Sequence, residues 1–220
     1  MEEHVVNILS VESVTHDVKR FRVEKPEGYT FIPGQATEVT INKEGWRNKR
    51  SPFTFTSLNT WDALEFTIKI YDGHQGVTNQ LGLLAPGDGL ILHDVWGAIQ
   101  YRGEGTFIAG GAGVTPFIAI FRQLREEGKV GANRLIYSNK TVNDIILKDE
   151  FTGLLGANFV NTLTGEHAPG YHHGRIDEAY LEKQITDFDQ EFYVCGPDEM
   201  IDSVQQALKN LGASAITVEL

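Results

Sequence analysis

The chain predicts a β plus α/β architecture: a six-stranded antiparallel β-barrel over residues 1–101, then a five-stranded parallel, doubly wound α/β domain over residues 102–220. Three observations carry that expectation. The first hundred or so residues hold six short alternating or β-branched runs and no long helical one, the pattern of an antiparallel barrel or sandwich. Beyond Tyr101 apolar strand-like runs alternate with helical ones, the pattern of a parallel sheet with helical crossovers. A length of 220 residues accommodates two domains of roughly 100 residues each.

The barrel strands are expected at Val5 to Val14, Val18 to Val23, Ala36 to Ile41, Phe53 to Ser57, Leu64 to Tyr71 and Gly89 to His93. Pro26, Gly28, Pro33, Gly34, Asn59, Asp72, Gly73, Pro86 and Gly87 break the chain between them, because glycine and proline punctuate regular structure. One short helical piece, Val77 to Leu84, interrupts the series, with Thr78 close to its start. In the second half the strands are Thr106 to Ala109, Arg134 to Ser138, Phe159 to Leu163, Glu191 to Cys195 and Ala215 to Glu219. Helices are expected over 116–127, 144–154, about 175–183, and Pro197 to Leu211. With no repeat and no low-complexity linker, the boundary near 100–104 reads as a short hinge-like connection.

Composition removes several classes of function. The single cysteine, Cys195, excludes an internal disulfide framework and an internal four-cysteine iron-sulfur cluster, so any such cluster sits on a partner. A net charge of −11 opposes nonspecific attachment to nucleic acid or an anionic membrane, and it disfavours acidic protein partners. No apolar run approaches the ~18 residues of a membrane span, and Met1 to Ser10 lacks a basic region followed by an apolar core. A cytoplasmic location is expected. His167, His172 and His173 fit no standard zinc spacing and read as a solvated loop, so no metal site is expected.

The densest chemical signal is Gly110, Gly111, Ala112, Gly113, Val114, Thr115 and Pro116, entered by a strand and left by a helix. Glycines let the backbone turn sharply and approach an anion, and a helix N-terminus offers unpaired N–H groups and the positive end of its dipole. Thr115 is expected to cap that helix and Pro116 to occupy its first turn. The spacing is not GxGxxG, so the loop alone names no ligand. A second loop, Cys195, Gly196 and Pro197, also opens a helix, but Asp198 and Glu199 stand in that helix's first turn and would oppose a phosphate. Pyrophosphate therefore belongs at the glycine loop, and the Cys195 loop faces an uncharged part of the ligand. Beyond the next strand, Ser138 and Lys140 lie where an adenosine ribose is read, with no acid until Asp144; this leans toward NADPH, with NADH the alternative.

These motifs, in their order, resemble the ferredoxin–NADP reductase-like flavoenzymes of the flavodoxin and ferredoxin reductase type. The resemblance rests on Pro33-Gly34-Gln35, on Arg50 to Ser57, on Gly76-Val77-Thr78 ahead of Pro86-Gly87-Asp88, on Gly110 to Pro116, and on Cys195-Gly196-Pro197 with Met200. It implies FAD, with FMN the alternative, against the barrel, and NADPH or NADH on the second domain. By the same resemblance Phe53 and Thr54 hold the flavin ring, and Gly76, Val77 and Thr78, with Lys69 nearby, take its phosphate. Arg50 is the counterpart of a phosphate-binding arginine, although Ser51 occupies that residue's usual place two before the aromatic. Cys195 stands beside the nicotinamide, Glu219 pairs with Thr54 and supports proton delivery, and Thr115 reaches the flavin as well as its helix. Leu220 ends the chain where many relatives place a shielding aromatic. The implied activity is hydride transfer from NAD(P)H to flavin and onward electron transfer to a separate acceptor: flavodoxin, ferredoxin, an oxygenase component or a small molecule. A non-catalytic nucleotide- or flavin-binding regulatory module on the same scaffold is the alternative.

Overall fold

A computed structural model describes residues 3–73 and 75–219. Its first sheet contains β1 (His4–Ser13), β2 (Val18–Glu24), β3 (Ala36–Ile41), β4 (Arg50–Thr54), β5 (Ala63–Lys69) and β6 (Gly89–Trp96), with α1 (Val77–Leu81) between the last two strands. Its strands pair antiparallel, in the order β4-β3-β6-β1-β2-β5. An isolated antiparallel bridge from Phe55 to Phe66 links the chain beyond β4 to β5, bringing the two edges of the sheet together. Alternation drives this closure. Val6 and Ile8, Phe21 and Val23, and Leu64, Phe66 and Ile68 point into one apolar core with Phe31 and Phe55, as expected where one face of each strand is buried.

The second sheet contains β7 (Gly105–Gly110), β8 (Arg134–Asn139), β9 (Phe159–Leu163), β10 (His172–His173), β11 (Glu191–Cys195) and β12 (Ile216–Glu219). It is parallel throughout, in the order β10-β9-β8-β7-β11-β12. Helices α2 (Thr115–Glu126) and α3 (Lys148–Leu155) cover one face, and α4 (Glu178–Gln184) and α5 (Asp198–Asn210) cover the other. The winding reverses between β7 and β11, so the loops after Gly110 and Cys195 meet at the switch point, where open α/β sheets bind ligands.

Two sequence expectations are corrected. The parallel sheet has six strands rather than five, because His172–His173 adds a two-residue edge strand beside Thr162 and Leu163; so short and polar a strand carries no apolar pattern. The fourth barrel strand runs from Arg50 to Thr54 rather than from Phe53 to Ser57. Beyond Thr54 the chain leaves the ladder with β3, and Phe55, Thr56 and Ser57 turn inward and are fully buried. No helix among the described residues is long and apolar enough to cross a membrane.

Candidate active site

β7 ends on Gly110, and residues Gly111–Val114 form one 3-10 turn that runs directly into α2. The first N–H groups of such a turn have no partner within it, and neither the turn nor the first turn of α2 contains an acid. Gly111 sits at φ +52°, and a Cβ there would meet nothing within 4 Å, so the cradle is open on that side. Gly113 serves the opposite purpose: its Cβ would stand 2.5 Å from the Cys195 carbonyl oxygen and 2.6 Å from Gly196 Cα. Gly110 packs just as closely against Met200 and Pro197. Glycine thus lets the two crevice loops touch backbone to backbone.

Thr115 does not cap the helix as expected. The cap position is Val114, whose side chain accepts nothing, and Thr115 Oγ1 donates to Ala112 O at 3.0 Å. The 3-10 turn moves the effective helix start back to Gly111, which places Thr115 inside the helical run. Pro116 does stand in the first turn. From β8, Tyr137 donates its hydroxyl to Gly111 O at 2.8 Å; burial raises its pKa above the ordinary value, keeping it a neutral donor.

Ser138 lies beside Gly110 in the sheet register, and Lys140 is exposed just beyond β8. Between them Asn139 is buried, its carboxamide beside the Tyr137 hydroxyl.

Cys195 ends β11 between Ala109 of β7 and Glu219 of β12. Its thiol is pushed up to about 12, first by burial and then by the Glu219 charge, against the Gly196 amide. At neutral pH it is a protonated, half-buried contact rather than a nucleophile. Glu219 is not paired with Thr54 as expected: its Oε2 accepts from the amides of Ala98 at 2.9 Å and Ile99 at 2.8 Å. The connection between the sheets presents two convergent N–H groups there and captures the carboxylate. The captured acid still lies at the barrel edge, since a Cβ on Gly97 would stand 3.6 Å from Glu219 Oε1 and 3.5 Å from Ala36 N.

On the barrel side the ladder sets Thr54, Ala36 and Trp96 side by side. Thr54 is half-buried, Phe53 packs partly against the barrel core, and Trp96 is 42% exposed. Sequence reasoning missed Trp96 by ending its strand at His93. Strand alternation puts Arg50 on the face opposite Phe53, where it pairs with Glu38 at 3.2 Å and Glu3 at 3.6 Å. Lys69 is likewise engaged, by Asp17 at 2.8 Å; burial would raise the Asp17 carboxyl, but Lys69 and Thr15 outweigh it and hold the group below its ordinary value. Gly76 caps α1 in an extended conformation, Val77 and Thr78 open the helix, and no acid stands in its first turn. Leu220 lies outside the described residues.

The residues present fit a dinucleotide at the glycine loop through its open, acid-free turn. For a flat ring they offer, on the barrel, the half-buried Thr54 beside Ala36 and the exposed Trp96. For a second phosphate they offer the turn at Gly76 to Thr78 rather than Arg50.

A closed antiparallel barrel leads into a doubly wound domain whose switch point lies between β7 and β11, the architecture of a two-domain nucleotide-binding fold. Residues 107–206 match the Oxidoreductase NAD-binding domain family. The reductase component of propane 2-monooxygenase from Rhodococcus jostii is 27% identical over 93% of this chain and 59% of its own length. The ferredoxin NADP+ reductase from Neisseria gonorrhoeae, solved with bound FAD and NADP, superposes with a TM-score of 0.85 at 20% identity, over 100% of this chain and 98% of that one. The cytochrome b5 reductase domain of Ulva prolifera nitrate reductase superposes with a TM-score of 0.82 at 22% identity, over 98% and 97%. The chain shares the two-domain fold of these structures. It spans about three fifths of the length of the curated propane monooxygenase reductases it matches.

Proposed function

We propose that this chain is an NAD(P)H-dependent flavin reductase that passes electrons to a separate acceptor, with a flavin domain over 1–101 and a nucleotide domain over 102–220. One observation carries the reading most directly: backbone contact at Gly113 joins the glycine loop to the Cys195 loop, and Glu219 joins that crevice to the barrel edge holding Thr54. When bound, the nicotinamide supplies a hydride and the flavin ring accepts it, the cofactors carrying the chemistry. The chain supplies placement. The open turn at 111–113 holds pyrophosphate, assisted by the Tyr137 bond that fixes the loop's carbonyl, while Ser138 and Lys140 face the ribose and favour NADPH.

Cys195 and Met200 pack against the glycine loop and help hold the nicotinamide in position, and such positioning raises the effective concentration of the reacting pair. Thr54 offers a hydroxyl at the flavin edge, and Phe53 and Trp96 flank that edge with rings. Glu219, held by two amides, fixes the connection between the domains and the Cys195 environment rather than delivering a proton to Thr54. FAD is favoured over FMN because its second phosphate finds the acid-free turn at Gly76, Val77 and Thr78, although Arg50 is committed to carboxylates.

The oxygenase-reductase relatives make an oxygenase component the first acceptor to try, and the net charge of −11 makes acidic carriers such as flavodoxin or ferredoxin the poorer ones. A cytoplasmic location, beside a reduced nicotinamide pool, completes the reading. The test is direct. Protein purified with FAD supplied should be yellow, and its flavin absorbance should bleach on anaerobic addition of NADPH or NADH. Protein that takes up neither FAD nor FMN and oxidises neither nucleotide is instead the regulatory module.

A further inference from the structure

Eight residues into the helix that grows from the glycine loop stands Arg122, only 4% exposed. Its guanidinium spans the two domains. Nη1 donates to Glu65 Oε1 on β5 and to the carbonyl of Thr56, both at 2.6 Å, while Nε and Nη2 grip the two oxygens of Glu150 on α3 at 2.7 and 2.8 Å. Glu65, itself 3% exposed, is held in turn by the Thr56 hydroxyl at 2.9 Å and through its own amide by Ser57 Oγ at 3.0 Å. The Trp61 ring lies 5.2 Å from the guanidinium carbon, and Thr60 and Trp61 both reach Glu126, one helical turn further along.

The location matters more than the number of bonds. Arg122 is seven residues from Thr115, about 10 Å along the helix axis, and it binds the carbonyl two residues beyond Thr54. One side chain therefore connects the element that bears the proposed pyrophosphate cradle to the strand end that bears the proposed flavin contact. Buried ion pairs contribute little net stability over apolar packing, because desolvation offsets their attraction, and their best-attested use is to specify one arrangement among several. A planar fork with fixed donor directions suits that use, whereas lysine supplies the same charge without the directions.

We propose that Arg122 is a positioning residue for hydride transfer: with Glu65, Thr56 and Glu150 it sets the nucleotide-binding helix relative to the flavin-binding strand, and so the approach of the two rings. This rests on the flavin reductase reading above. Helix α2 can carry the cradle to the correct place only if its side toward the barrel is held; Arg122 Nη1 makes a buried part of that contact, to Glu65 and the Thr56 carbonyl, while the bidentate grip on Glu150 fixes the direction of the fork.

The test compares the wild-type full chain with Arg122→Lys, which keeps the charge and loses the fork, and with the triple variant Arg122→Met, Glu65→Gln, Glu150→Gln, which removes the buried charges together. The first readout needs no cofactor: hydrogen exchange at the Ala98 and Ile99 amides, which bond across the domain junction, should quicken about tenfold or more in both variants while the β2 amides exchange as in wild type. The second is anaerobic flavin reduction. FAD and nucleotide dissociation constants should stay within about threefold of wild type, while the rate at saturating nucleotide falls by tenfold or more, as a displacement of about 1 Å commonly produces. Wild-type exchange at 98–99, or a wild-type saturating rate in either folded variant, overturns the proposal. If wild-type protein is not reduced at all, the reductase reading has failed, and the exchange readout alone still decides whether Arg122 holds the domains in register.

Discussion

Replacing Gly113 with alanine tests whether contact between the two crevice loops sets the geometry of the site. The new Cβ would stand 2.5 Å from Cys195 O and 2.6 Å from both Cys195 C and Gly196 Cα, whereas carbon atoms at their optimum sit about 3.5–4.0 Å apart. All three neighbours are backbone, so no rotamer change relieves the clash, and one loop must move by about 1 Å. Overpacking of this kind costs about 1–3 kcal/mol, which should lower the urea midpoint accordingly. The same shift between nicotinamide and flavin should lower the rate of anaerobic reduction at saturating nucleotide by about 10- to 100-fold, with FAD content retained because the barrel lends no residue to either loop. Gly111→Ala is the matched comparison. Its Cβ meets nothing, but the residue sits at φ +52°, so its cost is conformational, about 1–2 kcal/mol, and it should weaken nucleotide binding more than it slows the saturated step. Equal saturating rates in the two variants, or wild-type stability in Gly113→Ala, would refute the argument.

Tyr137→Phe removes the 2.8 Å bond to the Gly111 carbonyl, worth about 1 kcal/mol; nucleotide titration should show roughly fivefold weaker binding, and an unchanged affinity would mean the loop is held by other contacts. Glu219→Gln should lower the thiol pKa of Cys195, which the carboxylate and burial together push up to about 12, so the pH profile of iodoacetamide labelling should move to lower pH; a profile that stays in place removes Glu219 from the thiol's surroundings. Because that thiol lies above its ordinary value of 9.0 when folded, its contribution to stability is complete below pH 9.0 and is lost as pH rises toward 12, an alkaline loss that Cys195→Ser should reduce in urea titrations. At the other end, burial would raise the Glu150 carboxyl, but Arg122 outweighs it and holds the group below its ordinary 4.5. Its contribution is therefore complete above pH 4.5 and lost as pH falls through the folded value, and Glu150→Gln should flatten the acid limb of stability against pH.

What could be read from the chain follows from how local each signal is. The glycine loop was legible because its demands are made by neighbouring residues: a strand to enter, a positive φ at Gly111, a proline in the first helical turn. The difference between the two crevice loops in their acids was legible for the same reason, since Asp198 and Glu199 stand in the first turn of α5 and no acid stands in that of α2. Strand ends were less so. The alternation Phe53, Phe55 and Thr54, Thr56 continues past the point where pairing with β3 stops, and only the barrel's closure onto Phe66 shows why.

The junction was the least legible part. Leu64, Phe66 and Ile68 alternate with Glu65, Thr67 and Lys69, which by pattern alone faces water, yet Glu65 and Thr67 are 3% and 5% exposed, Glu65 meeting Arg122 of α2 and Thr67 the Thr56 hydroxyl. One signal was available: Arg122 sits among Ile118, Phe121 and Leu124, on the stripe that buries the helix. A cation in that stripe requires a buried acid opposite it, and Glu65, polar in an otherwise apolar strand, is the acid that answers. A charge misplaced on each of two amphipathic elements thus specifies their contact, and with it the distance between the two halves of the site.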